Sequence, residues 1–190
     1  MILSIFLAAQ SMVVLRAADT PGSAKASSQP LGAAGATVVP TALASLQTEE
    51  TGQLEYRMWE LINLERESPS NRAETRGRAR PLKWDAKLAE IARAHSRDMA
   101  EHAYVSHFSP DASFPALRVS QGGISYTATA ENVAKFRDVF RAQAAFMNEP
   151  PLGHNHRTNI LDPDFTHVGV GIVRGPDGMF YITQDFVQRP

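Results

Sequence analysis

Four side chains lying far apart in the chain have the types that cation binding and proton transfer use: His107, Glu131, Glu149 and His156. His107 lies in the run Tyr104-Val105-Ser106-His107-Phe108-Ser109-Pro110, and Glu131 in Ala130-Glu131-Asn132-Val133-Ala134. Glu149 and His156 fall in the polar interruption between Phe146 and Leu161. Imidazole at a helix end or in a loop serves as a metal ligand or proton carrier. A carboxylate within apolar sequence must be paired or protonated if it is buried. Glu149 follows a helical stretch, whose terminal carbonyls disfavour a negative charge by a few tenths to about 1 kcal/mol, and a metal or protonated His offsets that. Each residue alone has a plain alternative, as a solvated loop carboxylate or a hydrogen-bonded structural histidine.

Other residues compete for these roles or are excluded from them. The chain has six His and no Cys, so disulfides, thiol nucleophiles and thiolate metal sites are ruled out. His154 is a rival to His156, because a His154-x-His156 pair can chelate an ion in extended chain. His95 shares a helix face with Leu88 and Met99 and reads as core, while His102 and His167 read as surface or rim residues. Ser106 and Ser109 flank His107 without a nucleophile-elbow sequence around either, and no His-Glu-x-x-His helix is present. Arg72, Arg76, Arg78 and Arg80 read as a solvated loop, with a phosphate patch as the alternative. With 19 basic and 20 acidic side chains, the chain has no strong field for nucleic acid or an anionic membrane.

The elements that must position these groups follow from periodicity. Leu54, Met58, Leu61 and Ile62 mark one face of a first helix, which Ser68-Pro69-Ser70-Asn71 stops. A second helix runs from Asp85, its capping residue, to about His102, with Leu88, Ile91, Ala92, His95 and Met99 on one face. The sequence predicts extended chain over Asn132 to Phe136, then a third helix from about Arg137 to Asn148 whose apolar face combines Phe136, Val139, Phe140 and Met147. Pro150-Pro151 ends it. Val168-Gly169-Val170-Gly171-Ile172 alternates strictly, a turn follows at Gly175-Pro176-Asp177-Gly178, and Phe180, Ile182 and Phe186 continue at strand period. Bare glycines on one side of a strand permit close approach of a backbone or ligand. Helices followed by antiparallel strands give an α+β domain with helices on the sheet faces.

The N-terminal quarter differs. Ile2 to Leu15 is mostly apolar and of signal-peptide length, too short for a transmembrane span of about 20 residues, with small residues suited to cleavage following at Ala17 and Ala24-Lys25-Ala26. Asp19 to Glu50 is rich in Ala, Ser, Thr, Gly and Pro and reads as a flexible low-complexity tether. The expected organisation is a signal peptide at 1–18, a linker at 19–50 and one folded domain at 51–190.

Taken together the motifs resemble the CAP superfamily (cysteine-rich secretory proteins, antigen 5 and pathogenesis-related 1 proteins), especially its bacterial SCP-like branch. The resemblance rests on Met58-Trp59-Glu60-Leu61-Ile62-Asn63, Pro81-Leu82-Lys83-Trp84-Asp85, Ser106 to Pro110, Glu131-Asn132-Val133-Ala134, His156-Arg157-Thr158-Asn159-Ile160-Leu161 and Phe165 to Ile172. It implies an α-β-α sandwich with a small antiparallel sheet flanked by helices. It also implies a central cleft lined by His107, Glu131, Glu149 and His156, in which some members bind zinc or another divalent cation through two His. The family commonly has Gly where this chain has Asn155.

Three functions follow as expectations. One is a secreted binding module holding a divalent ion between His107 and His156, with an extracellular peptide, lipid or cell-wall ligand. Another is a metal-dependent hydrolase with Glu131 or Glu149 as general base. The third is a structural domain in which the His/Glu set braces the cleft.

Overall fold

The computed structural model describes Leu15–Arg16 and residues 41–190, with side chains from Glu49 onward. The expected signal segment, apart from Leu15–Arg16, and the linker up to residue 40 lie outside the described residues. Elements run in the order β1 (Leu15–Arg16), α1 (Thr41–Glu67), α2 (Arg72–Thr75), β2 (Lys83–Trp84), α3 (Ala86–Glu101), α4 (Pro115–Gln121), β3 (Ala128–Phe136), α5 (Val139–Met147), α6 (His156–Leu161), β4 (His167–Arg174) and β5 (Phe180–Gln188).

α1 begins ten residues before the boundary expected at 51. Eight of the thirteen residues from Thr41 to Gln53 are Ala, Leu, Gln or Glu, all strong helix formers, so the end of the tether continues the helix. A single 3₁₀ turn at Pro69–Asn71 follows its last residue, as the Ser-Pro-Ser-Asn break predicts. Asp85 caps α3 by accepting hydrogen bonds from Lys87 N and Leu88 N, both at 3.1 Å. Asp138 does the same for α5, accepting from Phe140 N at 2.8 Å and Arg141 N at 3.0 Å. Phe140 departs from expectation. It is 47% exposed, because the buried face of α5 is Val139, Ala142, Gln143, Phe146 and Met147, and one residue on from Val139 turns about 100° away. Phe136 belongs to β3 rather than to the helix.

The sheet order is β1–β3–β5–β4–β2. The three long strands are antiparallel, and the two-residue β2 adds a parallel edge to β4. Val168, Val170 and Ile172 pack with Met58 and Ile62 of α1 and Phe146 of α5. On the opposite face Gly169 and Gly171 admit the main chain of α3. A Cβ on Gly169 would lie 2.3 Å from Ala89 N, and one on Gly171 would lie 2.1 Å from Arg93 N. The strict Val-Gly alternation therefore builds the sandwich: side chains meet helices on one face and bare backbone meets a helix on the other.

β3 carries the consequence for function. Ala130 and Ala134 join the core with α1 and α5, whereas Val133 packs with Met99 of α3 and Tyr181. By the two-residue period Glu131 faces the α3 side and Asn132 the α5–α6 side. Among the described residues, β1 pairs with β3 only at Ala128 and Thr129, and further along β3 the Asn159 side chain donates to Glu131 O at 3.4 Å.

Candidate functional site: two histidine–glutamate pairs beside β3

Two imidazole–carboxylate pairs, one buried and one partly buried, flank β3. His107 Nδ1 lies 2.7 Å from Glu131 Oε1, and His156 Nδ1 lies 2.6 Å from Glu149 Oε1. The first pair is completely enclosed, with His107 2% and Glu131 0% exposed. An ionised carboxylate can only accept, so in each pair it is the imidazole Nδ1 that donates. The imidazoles are near enough that a charge on His107 lowers the pKa of His156. All four expected residues thus occupy one region, as two pairs rather than as a four-ligand cage.

The second pair is shaped by the residue that departs from the family pattern. Asn155 caps α6: its Oδ1 accepts from Thr158 N at 2.9 Å, while Thr158 Oγ1 accepts from Asn155 N at 2.9 Å. Asn155 Nδ2 also donates to Pro150 O at 2.8 Å, fixing the loop that leads out of α5. Glu149 Oε2 accepts from His156 N at 2.9 Å, so this carboxylate grips both the main chain and the ring of His156. Placed at the start of α6, its negative charge is favoured by the helix dipole, which answers the unfavourable placement at the end of α5. Phe146 stacks on the His156 ring at 4.4 Å between centroids. Burial pulls His156 below its ordinary pKa, against the opposing pull of Glu149, so the ring is neutral at pH 7. Its Nε2 is buried with no hydrogen-bond partner among the described residues. His154, the rival ligand, is exposed in the loop.

The first pair has more company than the sequence indicates. Arg118 Nη2 donates to Glu131 Oε2 at 2.5 Å, and its Nη1 donates to His107 O at 3.1 Å. Burial pushes the Glu131 carboxyl up, but the His107 hydrogen bond and the Arg118 charge outweigh it and hold the group ionised. His95 is not simply core: its Nε2 meets Ser106 O at 2.9 Å, its Nδ1 meets Ser109 Oγ at 3.3 Å, and Glu131 Oε1 is 4.0 Å away. Burial lowers its pKa. Asp185 pairs with Glu131 across the β3–β5 ladder. Sequence reading missed Arg118 and Asp185. The one available signal was Glu131 itself, since an acid in apolar sequence requires a cation nearby.

Behind the two pairs a chain of buried amides joins β3 to the helices that carry the second pair. Asn159 Nδ2 donates to Asn132 Oδ1 at 2.9 Å, Asn132 Nδ2 to Gln184 Oε1 at 2.9 Å and to His156 O at 3.2 Å, and Gln184 Nε2 to Gln143 Oε1 at 2.8 Å. Arg157 closes the other side through Met147 O at 2.5 Å and Glu74 Oε2 at 2.8 Å. Such networks hold a site rigid because each member left unpaired in low dielectric costs free energy.

With both glutamates committed to Nδ1 atoms, no group of three or more His, Asp or Glu among the described residues can hold a metal ion. No helix among the described residues is long and apolar enough to cross a membrane.

Comparison with known proteins agrees with this architecture. The Bacillus subtilis (strain 168) protein YkwD is 36% identical over 136 residues, which cover 71% of this chain and 47% of that protein. The chain therefore spans about half the length of that relative. The crystal structure of an extracellular protein containing a SCP domain from Bacillus anthracis superposes with a TM-score of 0.61 at 25% identity, over 82% of this chain and 45% of that one. An outer surface protein from Borrelia burgdorferi shares the fold, with a TM-score of 0.60 at 17% identity, over 74% of this chain and 96% of that one. The family model described as the cysteine-rich secretory protein family, CAP, matches residues 59–186, and the chain belongs to that family.

Proposed function

We propose that the protein is a secreted CAP domain whose cleft binds a divalent cation, zinc among the candidates, through His107 and His156, and uses it to hold an extracellular ligand. The observation that carries this reading is the paired geometry: each imidazole has its Nδ1 anchored by a glutamate at 2.7 or 2.6 Å. A carboxylate behind a ligating imidazole fixes its tautomer and raises its basicity. His156 Nε2, a buried acceptor with no partner among the described residues, is the atom with most to gain from a bound cation. A buried unsatisfied acceptor costs about 1–3 kcal/mol, which a cation bound there offsets. Two protein ligands leave positions open, so oxygen atoms of a peptide, lipid headgroup or cell-wall ligand complete the shell.

The same geometry speaks for binding over hydrolysis. Glu131 is enclosed by His107 and Arg118, and Glu149 is held by the ring and main chain of His156, so neither is poised as a general base. Metal analysis of the purified protein beside the His107→Ala/His156→Ala double variant, with a hydrolase screen on both, tests the reading. Metal bound by the wild type and lost in the variant, without turnover, is the expected result. Turnover lost in the variant establishes an enzyme instead. Absence of metal from both, with the variant merely less stable, leaves the pairs as structural braces.

A further inference from the structure

The loop of four arginines resolves into two groups. Arg72 and Arg80 join Arg66 in lining a cavity of about 200 Å³ at the end of α1, whereas Arg76 and Arg78 do not line it. Ser68, Thr75 and Gly77 are also in its wall, and Glu67 is its one acidic lining residue.

Arg66 makes this cavity more than a patch of surface charge. It is 3% exposed, and its guanidinium donates only to main-chain oxygens: Arg80 O at 2.6 Å, Ile160 O and Asp162 O at 2.8 Å, and Phe165 O at 3.4 Å. None of the ion pairs among the described residues includes it. Burial lowers its pKa to about 10, with the charge of Asp162 acting in opposition, so the group remains a cation at pH 7. Carbonyl dipoles satisfy its hydrogen bonds but bring no net charge. Positive potential therefore persists in the cavity it lines, and low dielectric around it strengthens that potential.

The loop geometry brings the other two arginines to the same place. Arg76 and Gly77 both have left-handed backbone, with φ of 53° and 66°. The turn folds the chain back so that Arg72 Nε lies 3.4 Å from where a Cβ on Gly77 would stand. Arg80 is bound through its carbonyl to Arg66. Three arginines, Arg66, Arg72 and Arg80, thus line one cavity with Ser68 and Thr75 in the same wall.

We propose that this cavity binds a phosphate group, with Arg72 and Arg80 donating to its oxygens and Arg66 supplying a fixed buried charge. Forked N–H donors match the spacing of oxygens on a tetrahedral anion and contact them in pairs, which a set of ammonium groups does not. The phosphate is free or carried on an ester. The site shares no residue with the His/Glu cleft and does not depend on metal binding there.

Calorimetric titration of the full chain with inorganic phosphate, glycerol phosphate and a glycerol phosphodiester, at matched ionic strength, tests this. Saturable binding of at least one of them is expected, and their order tells free phosphate from an ester. Arg72→Ala/Arg80→Ala should weaken it about tenfold or more, or about 1.4 kcal/mol, with the melting temperature in the absence of phosphate unchanged. Should that variant melt early, Arg80→Gln alone serves, with weakened binding again expected. Arg76→Ala/Arg78→Ala should bind as the wild type does. No saturation by any probe, unchanged binding after loss of Arg72 and Arg80, or equal weakening by the Arg76/Arg78 variant would each overturn the proposal.

Discussion

Asp185 stands opposite Glu131 in the β3–β5 ladder, and both carboxyl groups are buried. Arg118 and His107 contact Glu131, whereas neither oxygen of Asp185 has a hydrogen-bond partner among the described residues. Burial, followed by the neighbouring Glu131 charge, raises the pKa of Asp185 well above its ordinary value, and Glu131 is held below its own. Two like charges this close in low dielectric do not both ionise cheaply, and the counter-charges select Glu131. Asp185 is the protonated member.

The sign of the resulting pH dependence follows. The folded protein keeps a proton on Asp185 that the unfolded chain sheds near pH 3.9. This group's contribution therefore falls as pH rises from about 4, and the loss is complete above its folded pKa. Asp185→Asn removes that term and should raise stability at neutral pH by about 1–2 kcal/mol. Denaturant unfolding of both proteins across pH 5 to about 9 measures the difference, which should widen towards alkali. A gap that narrows instead would contradict the assignment.

Glu131→Gln should be strongly destabilising. It leaves the Arg118 guanidinium without a carboxylate, and the single amide oxygen can no longer accept from both His107 and Arg118 as the two carboxylate oxygens do. Removing one partner of a buried pair costs about 3–5 kcal/mol, because the remaining charge stays buried. Adding Arg118→Met should recover part of the loss, and a double-mutant cycle gives the coupling.

Glu149→Gln separates the site from the fold. Glu149 is 17% exposed at its side chain and makes its contacts to one residue, His156. The amide can still accept one of those bonds, so stability should change by only about 1 kcal/mol. Metal affinity should fall about 10–100-fold, because the imidazole loses its anionic partner. Titration calorimetry with zinc, beside thermal melting, reads both quantities. Equal metal affinity would show that the carboxylate does not serve the imidazole as a ligand.

Gly171→Ala tests the packing of α3. The new methyl would stand 2.1 Å from Arg93 N and 2.3 Å from Ala92 C, both main-chain atoms. Neither can rotate aside, so the helix must lift from the sheet, at a cost of about 3 kcal/mol or more. Because α3 also carries Ser96, whose Oγ donates to Gly171 O at 2.9 Å, the shift should weaken that bond, and thermal melting beside the wild type measures the loss.

Much of this molecule is legible one residue at a time. The cap at Asp85, the stop after Glu67, the hairpin at Gly175–Gly178 and the alternation of Val168 to Ile172 are local, and local chemistry dictates them. The helix that begins at Thr41 shows the limit of composition, since an Ala-rich stretch serves a tether and a helix equally well.

By itself the sequence determined which strands and helices form and where on them the histidines and glutamates stand, because residue type, periodicity and capping act within a few positions. Tertiary structure alone decided how that chemistry is distributed. His107 and Glu131 approach from one face of the sheet and His156 and Glu149 from the other, and the glutamates hold imidazoles rather than stand as ligands. It also recruited Arg118 and Asp185, distant in sequence and of ordinary type, to the surroundings of Glu131. The physical reason is that a buried charge is governed by the groups within a few ångströms of it, and only the folded chain specifies which those are.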